Sequence, residues 1–255
     1  MSTNSPNHAA PAGKRIALVI ANSAVSSTTG APVGFWWSEL THPYRVFVEA
    51  GYTVELFSPD GGACTADALS DPSDPSGYSS HDLVSQGFIH TPALMAKVAN
   101  TRPVAGLAVE DFDALVVAGG QAPMFTFERA TALHEAFAAF HAAGKVVAAL
   151  CHGVAILAWV RGADGELLAK GRTVTGFANV EEDAADEAAW SYGVLPRGQH
   201  VMPWRIEDRL RALGANFVQV GAWRPFAVRD GQLITGQQNF SGEATARVVV
   251  EALGR

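Results

Sequence analysis

One short stretch carries the residue types and the order that nucleophilic chemistry needs. Lys145-Val-Val-Ala-Ala-Leu150 is an apolar, strand-forming run, Cys151-His152-Gly153 follows without a break, and Val154, Ala155, Leu157 and Ala158 then continue in a helical pattern to Trp159. A strand that turns sharply into a helix projects its apex residue out of the sheet, and the helix amino terminus favours an anionic sulfur. The thiolate, not the thiol, attacks an electrophile. Gly153 lets the backbone approach closely at such a turn, and the N–H of His152 points where an oxyanion would form. Burial as an inert thiol is the commoner fate of cysteine. The strand before Cys151 and the His-Gly after it favour the chemical reading here, whereas Cys64, in the loop after Gly61-Gly62, reads as an ordinary thiol.

Other candidates depend on what surrounds them. Gly119-Gly120 closes the apolar run Ala114–Ala118 and can offer backbone N–H groups to an oxyanion, with Gly120 the preferred donor. Glu39 precedes a helix expected to begin near Leu40, and from the residues alone it reads at least as well as a helix-start charge. Glu181, Glu182, Asp183, Asp186 and Glu187 read, most of them, as a solvated acidic helix face. The remaining histidines are scattered, no Cys or His pair has zinc spacing, and neither a phosphate loop nor a dinucleotide fingerprint occurs, so neither a metal nor a cofactor is expected.

Such a constellation needs a scaffold, and the periodicity supplies one. Val-, Ile- and Leu-rich runs at 15–21, 52–57, 114–118 and 145–150 alternate with amphipathic segments, the pattern of parallel strands covered by helices on both faces. Leu40 to Ala50 reads as a helix stopped by Gly51, and Leu133, Phe137 and Phe140 mark one face of another. Residues 172–175 and 217–220 read as further strands, and 226–229 and 232–235 as a hairpin turning at Asp230-Gly231. Ser241 is placed to cap a last helix that runs to Leu253. The expected fold is therefore α/β, as a single domain over 14–255 behind a loose tail at 1–13. Excursions are expected at about 63–111 and 183–202, the second open to reading as a lid, an oligomer contact or a plain surface loop.

Composition narrows the classes. The 255 residues are 48% hydrophobic and 17% charged, which fits a full globular core. A formal net charge of −7 lacks the basic excess of a nucleic-acid binder. Two cysteines cannot build a secreted disulfide framework, no apolar run reaches membrane-spanning length, and the polar amino terminus is not a secretory signal, so a soluble cytoplasmic protein is expected.

The elbow Ala149-Leu150-Cys151-His152-Gly153 resembles that of the ThiJ/PfpI superfamily, whose fold is class I glutamine amidotransferase-like. Gly34-Phe-Trp-Trp-Ser-Glu39-Leu-Thr-His-Pro43-Tyr44, Ser58-Pro-Asp-Gly-Gly62, Val174-Thr-Gly-Phe177 and Asp230-Gly-Gln-Leu-Ile-Thr-Gly236 extend the resemblance over most of the chain. They are similar to the branch of heat-shock chaperone-type proteins and glutathione-independent glyoxalase III enzymes. The resemblance implies a flavodoxin-like three-layer sandwich and commonly a homodimer. It implies conversion of a small aldehyde substrate such as methylglyoxal into a 2-hydroxy acid, the D-lactate dehydratase type of lyase, with hydrolase or deglycase activity a further option. It gives Cys151 as nucleophile, His152 as base, Glu39 as a carboxyl against the sulfur, and Glu182, ahead of Glu181, as the partner of His152. Backbone N–H groups of Gly120 and His152 would hold the oxyanion, and Trp36, Trp37 and Gln121 would line the pocket, with Phe35 beside them. Gly119-Gly120-Gln121-Ala122 departs from the family's frequent Gly-Gly-His-Gly. A stress-response holdase or redox sensor with an oxidisable Cys151, and a cysteine amidase, are the alternatives from other classes.

Overall fold

A computed structural model describes residues 13–254, so the tail expected at 1–13 lies, Gly13 apart, outside the described residues. Seven strands form the central sheet: β1 (Arg15–Val19), β2 (Thr53–Ser58), β3 (Arg102–Pro103), β4 (Ala114–Val117), β5 (Val146–Leu150), β6 (Ala227–Asp230) and β7 (Leu233–Gly236). Their order is β6-β7-β5-β4-β1-β2-β3, parallel throughout except for the β6–β7 hairpin, which turns at Gly231 in the left-handed conformation. This is the flavodoxin-like α/β architecture anticipated above.

Side chains in a strand point alternately to the two faces of its sheet. Ala17, Val19, Leu115, Val117, Val147 and Ala149 enter one hydrophobic core, and Ile16, Leu18, Ala114, Val116, Val146 and Ala148 enter the other. Helix α1 (Trp37–Glu49) covers the second core through Leu40, Val46 and Phe47, while α2 (Thr131–Ala142) covers the first through Leu133, Phe137 and Phe140. Beyond α3 (Asn179–Ser191), the chain ends in α4 (Gly242–Leu253), packed beside α1 through Ala246, Val249 and Val250.

Several local expectations are corrected. Thr173–Val174 pairs with Asn216–Phe217 in a separate two-stranded ribbon instead of joining the main sheet. The unanticipated β3 is a two-residue edge strand ending in proline, which suits an edge because proline donates no ladder hydrogen bond. Ser241 precedes α4 but makes no side-chain cap, since a 3-10 turn at Asn239–Ser241 already winds the chain into the helix. Its hydroxyl instead accepts the Phe226 and Gln238 N–H groups, each at 3.2 Å. The excursion at 63–111 carries two helices, Leu83–Ile89 and Pro92–Ala99. That at 183–202 is in its first half the continuation of α3, and buried Asp186 folds the rest back by accepting His200 Nδ1 at 2.6 Å and the Val201 N–H at 2.7 Å. Among the described residues no helix is long and apolar enough to cross a membrane, and no group of three or more His, Cys, Asp or Glu could hold a metal ion.

Candidate active site

Cys151 begins where β5 ends, and its backbone takes a φ of 55°, one of only two non-glycine residues in the left-handed region among the described residues. That conformation costs a residue with a Cβ roughly 1–2 kcal/mol, and it is the strained apex of a strand-to-helix turn. The turn is tight enough that a Cβ on Gly153 would lie 2.7 Å from the Ala118 carbonyl oxygen, and one on Gly119 would lie 2.7 Å from Glu39 Oε2. Glycine is therefore required where the ends of β4 and β5 meet. Cys151–Ala158 winds as a fully buried 3-10 helix, tighter than the α-helix its pattern suggested.

The sulfur is not pre-ionised in the way a helix start alone would favour. Burial, and then the negative charge of Glu39, push the Cys151 thiol well above its ordinary range, against a pull from the His152 backbone N–H. Glu39 sits inside the first turn of α1, not before the helix, and is completely buried. Its Oε2 accepts the Gly119 N–H at 2.7 Å, and its Oε1 is buried without a hydrogen-bond partner. Burial raises this carboxyl to about 8, with the interactions to Cys151 and Gly119 pulling the other way. At neutral pH Glu39 is thus predominantly a protonated acid beside the sulfur. In that form it does not repel a thiolate and can donate a hydrogen bond to one.

His152 lies on the other side of the thiol, with Nδ1 3.7 Å from Cys151 Sγ and Nε2 3.0 Å from Glu182 Oε1. A carboxylate accepting from Nε2–H fixes the tautomer and leaves the Nδ1 lone pair facing the sulfur. Phe177 stacks on the imidazole with ring centroids 4.2 Å apart, and His152 and Glu182 are both buried. The acidic segment is consequently not the solvated face it resembles. Glu182 and Asp186, one helical turn apart, point inward, and Glu181 is buried as acceptor of the Ala178 and Trp223 N–H groups and of Gln237 Nε2, each at 3.0 Å. Only Asp183 and Glu187 remain open to solvent, because partners from distant segments satisfy the other three.

The remaining candidates divide. Gly120 has a φ of 104°, and its N–H donates to no protein acceptor among the described residues, while Gly119 and Gln121 on either side donate to Glu39 and Asp67. Trp36 is half-buried and packs edge-on to Tyr78, whose hydroxyl is raised by burial and by the charge of Cys151. Trp37, expected in the pocket, is instead a core residue set against Phe35 and Phe88, because α1 turns it toward the helix pair beyond. Asp67 and Tyr78 carry no local signal in the sequence: Asp67 is followed by Ala-Leu-Ser70 within the excursion, and Tyr78 lies among Pro, Ser and Gly.

Residues 33–252 match the model of the DJ-1/PfpI family. The chain belongs to the DJ-1/PfpI family. A probable glutathione-independent glyoxalase, hsp3103 of Schizosaccharomyces pombe, is 27% identical over 248 residues, covering 88% of this chain and 92% of that one. Among solved structures, the Rapid Encystment Protein of Francisella tularensis superimposes with a TM-score of 0.82 at 26% identity, over 95% of this chain and all of that one. Glyoxalase III from Candida albicans superimposes with a TM-score of 0.76 at 25% identity, over 94% of this chain and 97% of that one. The family match spans the whole site, from the Gly34 loop through the elbow to β7. The DJ-1/PfpI fold thus brings Glu39, Cys151, His152 and Glu182 together from α1, the elbow and α3.

Proposed function

We propose that this DJ-1/PfpI protein is a cofactor-independent glyoxalase III-type enzyme that converts methylglyoxal or a related α-oxoaldehyde into a 2-hydroxy acid. The observation that carries the reading is the relay of Cys151, His152 and Glu182 facing a neutral, buried Glu39, in a chain similar along its length to proteins named glutathione-independent glyoxalases. Residues 14–255 act in this reading as one catalytic domain.

The chemistry balances within the substrate. The sulfur adds to the aldehyde carbon, and the thiol proton passes through His152 Nδ1 to the aldehyde oxygen, which the Gly120 N–H steadies. The oxyanion role assigned to the His152 N–H is shared with the sulfur, toward which that group is directed. His152 then takes the hydrogen from the former aldehyde carbon, and the electron pair moves toward the neighbouring ketone, whose oxygen gains a proton from Glu39. The enediol regains a proton from His152 at the second carbon. The first carbon is oxidised by two electrons to a thioester, the second is reduced by two to a secondary alcohol, and Glu39 recovers its proton from the collapsing hydroxyl. Water cleaves the thioester, releasing the hydroxy acid and restoring the thiol. No external oxidant or reductant enters.

The test is methylglyoxal consumption with lactate formation, without glutathione or added metal, for the wild type beside Cys151→Ala. We expect turnover in the first and a loss of at least about 10³-fold in the second. No turnover in either, or full turnover in both, overturns the reading and moves the search to amides or to client-protein protection. The reading further places the enzyme in the cytoplasm as a homodimer, and light scattering on the purified chain checks the second point.

A further inference from the structure

Two segments that the mechanism needs in register are tied by one carboxyl group it does not use. Asp67 is 2% exposed. Its Oδ1 accepts the Gly34 N–H at 2.8 Å, its Oδ2 accepts the Gln121 N–H at 2.7 Å, and its own N–H donates to the Phe35 carbonyl at 2.7 Å. Around this bridge the Ala122 N–H reaches the Gly34 carbonyl at 3.0 Å and the Trp36 N–H reaches the Gly119 carbonyl at 3.2 Å. The contact is close enough that a Cβ on Gly120 would lie 2.5 Å from the Gly34 oxygen. The first segment leads into α1 and hence to Glu39, and the second contains the Gly120 N–H.

We propose that the Asp67 carboxylate is a positioning residue that clamps the Gly34–Trp36 and Gly119–Gln121 segments together and so sets both Glu39 and the Gly120 N–H against Cys151. Its role in turnover rests on the glyoxalase reading; the clamp itself does not. Each oxygen of Asp67 takes one backbone N–H, and no cationic side chain among the described residues pairs with it. A protonated carboxyl would turn one of the two acceptors into an O–H and leave one amide poorly satisfied. Two titratable groups are coupled to Asp67: His152, whose charge favours its ionisation, and Glu39, which the charge of Asp67 in turn helps to keep protonated. Burial raises Asp67 to about 7 despite the two amide bonds, so the clamp tightens and loosens near neutral pH.

The experiment pairs amide NMR with kinetics. In the wild type, the Gly34 and Gln121 amide resonances should titrate together with the Asp67 side-chain carbon, with a midpoint of about 7. Asp67→Asn keeps the shape but sets an amide N–H₂ against one of the two donors. It should shift the Gly119–Gln121 resonances and lower kcat about 10²-fold with KM within about twofold, the split expected when transition-state stabilisation alone is lost. Gly34 and Gln121 amides that do not follow the Asp67 side-chain carbon through its titration, or a folded Asp67→Asn with unmoved loop resonances or an unchanged kcat, overturn the proposal. If Asp67→Asn fails to fold, the wild-type titration decides. If the wild type does not turn over methylglyoxal, the functional reading fails while the resonances still decide the clamp.

Discussion

The two cysteines of this chain are alike in burial and opposite in company. Cys64 and Cys151 are exposed by only 7% and 3%, and burial raises both thiols above their ordinary range. Around Cys64 stand Asn22 Nδ2 at 3.8 Å and the Thr101 hydroxyl at 3.9 Å, polar groups that satisfy a thiol without ionising it. Around Cys151 stand a buried acid that holds its own proton, an imidazole and, behind that, a second carboxylate. Burial therefore does not distinguish a reactive cysteine from an inert one. What distinguishes them is whether a base can take the proton and a neutral donor can hold the charge left behind.

The sharpest way to break the contrast is to remove the carboxylate behind the imidazole. Glu182→Gln retains an acceptor for Nε2–H but no charge to stabilise an imidazolium, and loss of that charge in a buried relay costs general-base catalysis about 10³-fold. We expect kcat on methylglyoxal to fall by about that factor, and iodoacetamide labelling of Cys151 to fall toward the rate at Cys64, as resolved by peptide mass spectrometry. Undiminished, selective labelling of Cys151 in Glu182→Gln would mean that the relay does not activate the sulfur.

The contrast also makes a statement about stability. Glu39 is raised to about 8 and Asp67 to about 7, so the unfolded chain releases these protons near pH 4 while the native protein keeps them. At these two groups the native state binds more protons across that window, so their contribution to stability falls as pH rises from about 4 to about 8. It outweighs the opposite contribution of His134 and His141, which burial holds below the ordinary imidazole range. We expect Tm to drop by about 5 °C between about pH 5.5 and about pH 8.5, and the drop to shrink in Glu39→Gln. Among the described residues no carboxyl hydrogen-bonds Cys64, so Cys64→Ala should leave the slope of Tm with pH as it is. A wild-type Tm that rises over this range would contradict a protonated Glu39.

The elbow was legible in the sequence because its parts are contiguous: strand, cysteine, histidine and glycine follow one another, and so do the β6–β7 hairpin and the Leu133, Phe137, Phe140 face of α2. What could not be read is set by partners far along the chain. Glu181, Glu182 and Asp186 look like a solvated face until Trp223, Gln237, His152, His200 and Arg205 arrive to satisfy them. Asp67 has no visible role until Gly34 and Gln121 close on it. The roles of Glu39 and of Glu182 as the partner of His152 come from family resemblance, since a helix-start carboxylate and a buried acid, or a solvated and an inward-facing glutamate, have the same local sequence. Trp37 shows the reverse error, a motif residue assigned to the pocket that the phase of α1 turns into the core.

The smallest effect tests the backbone alone. Cys151 is held at a φ of 55° and Cys64 is not among the positive-φ residues, so replacing each by alanine and by glycine separates conformation from chemistry. Glycine occupies the left-handed region without the Cβ clash, whereas elsewhere its greater freedom in the unfolded chain makes it the less stable choice. Cys151→Gly should therefore be more stable than Cys151→Ala by about 1 kcal/mol, and Cys64→Gly less stable than Cys64→Ala by a similar amount. For a chain of this size each corresponds to about 3 °C in Tm. The inversion of sign between the two sites is the measurement, because the lost thiol is common to both members of each pair and cancels. Equal signs would mean that Cys151 is not held under strain at the elbow, and its reactivity would then rest on Glu39, His152 and Glu182 alone.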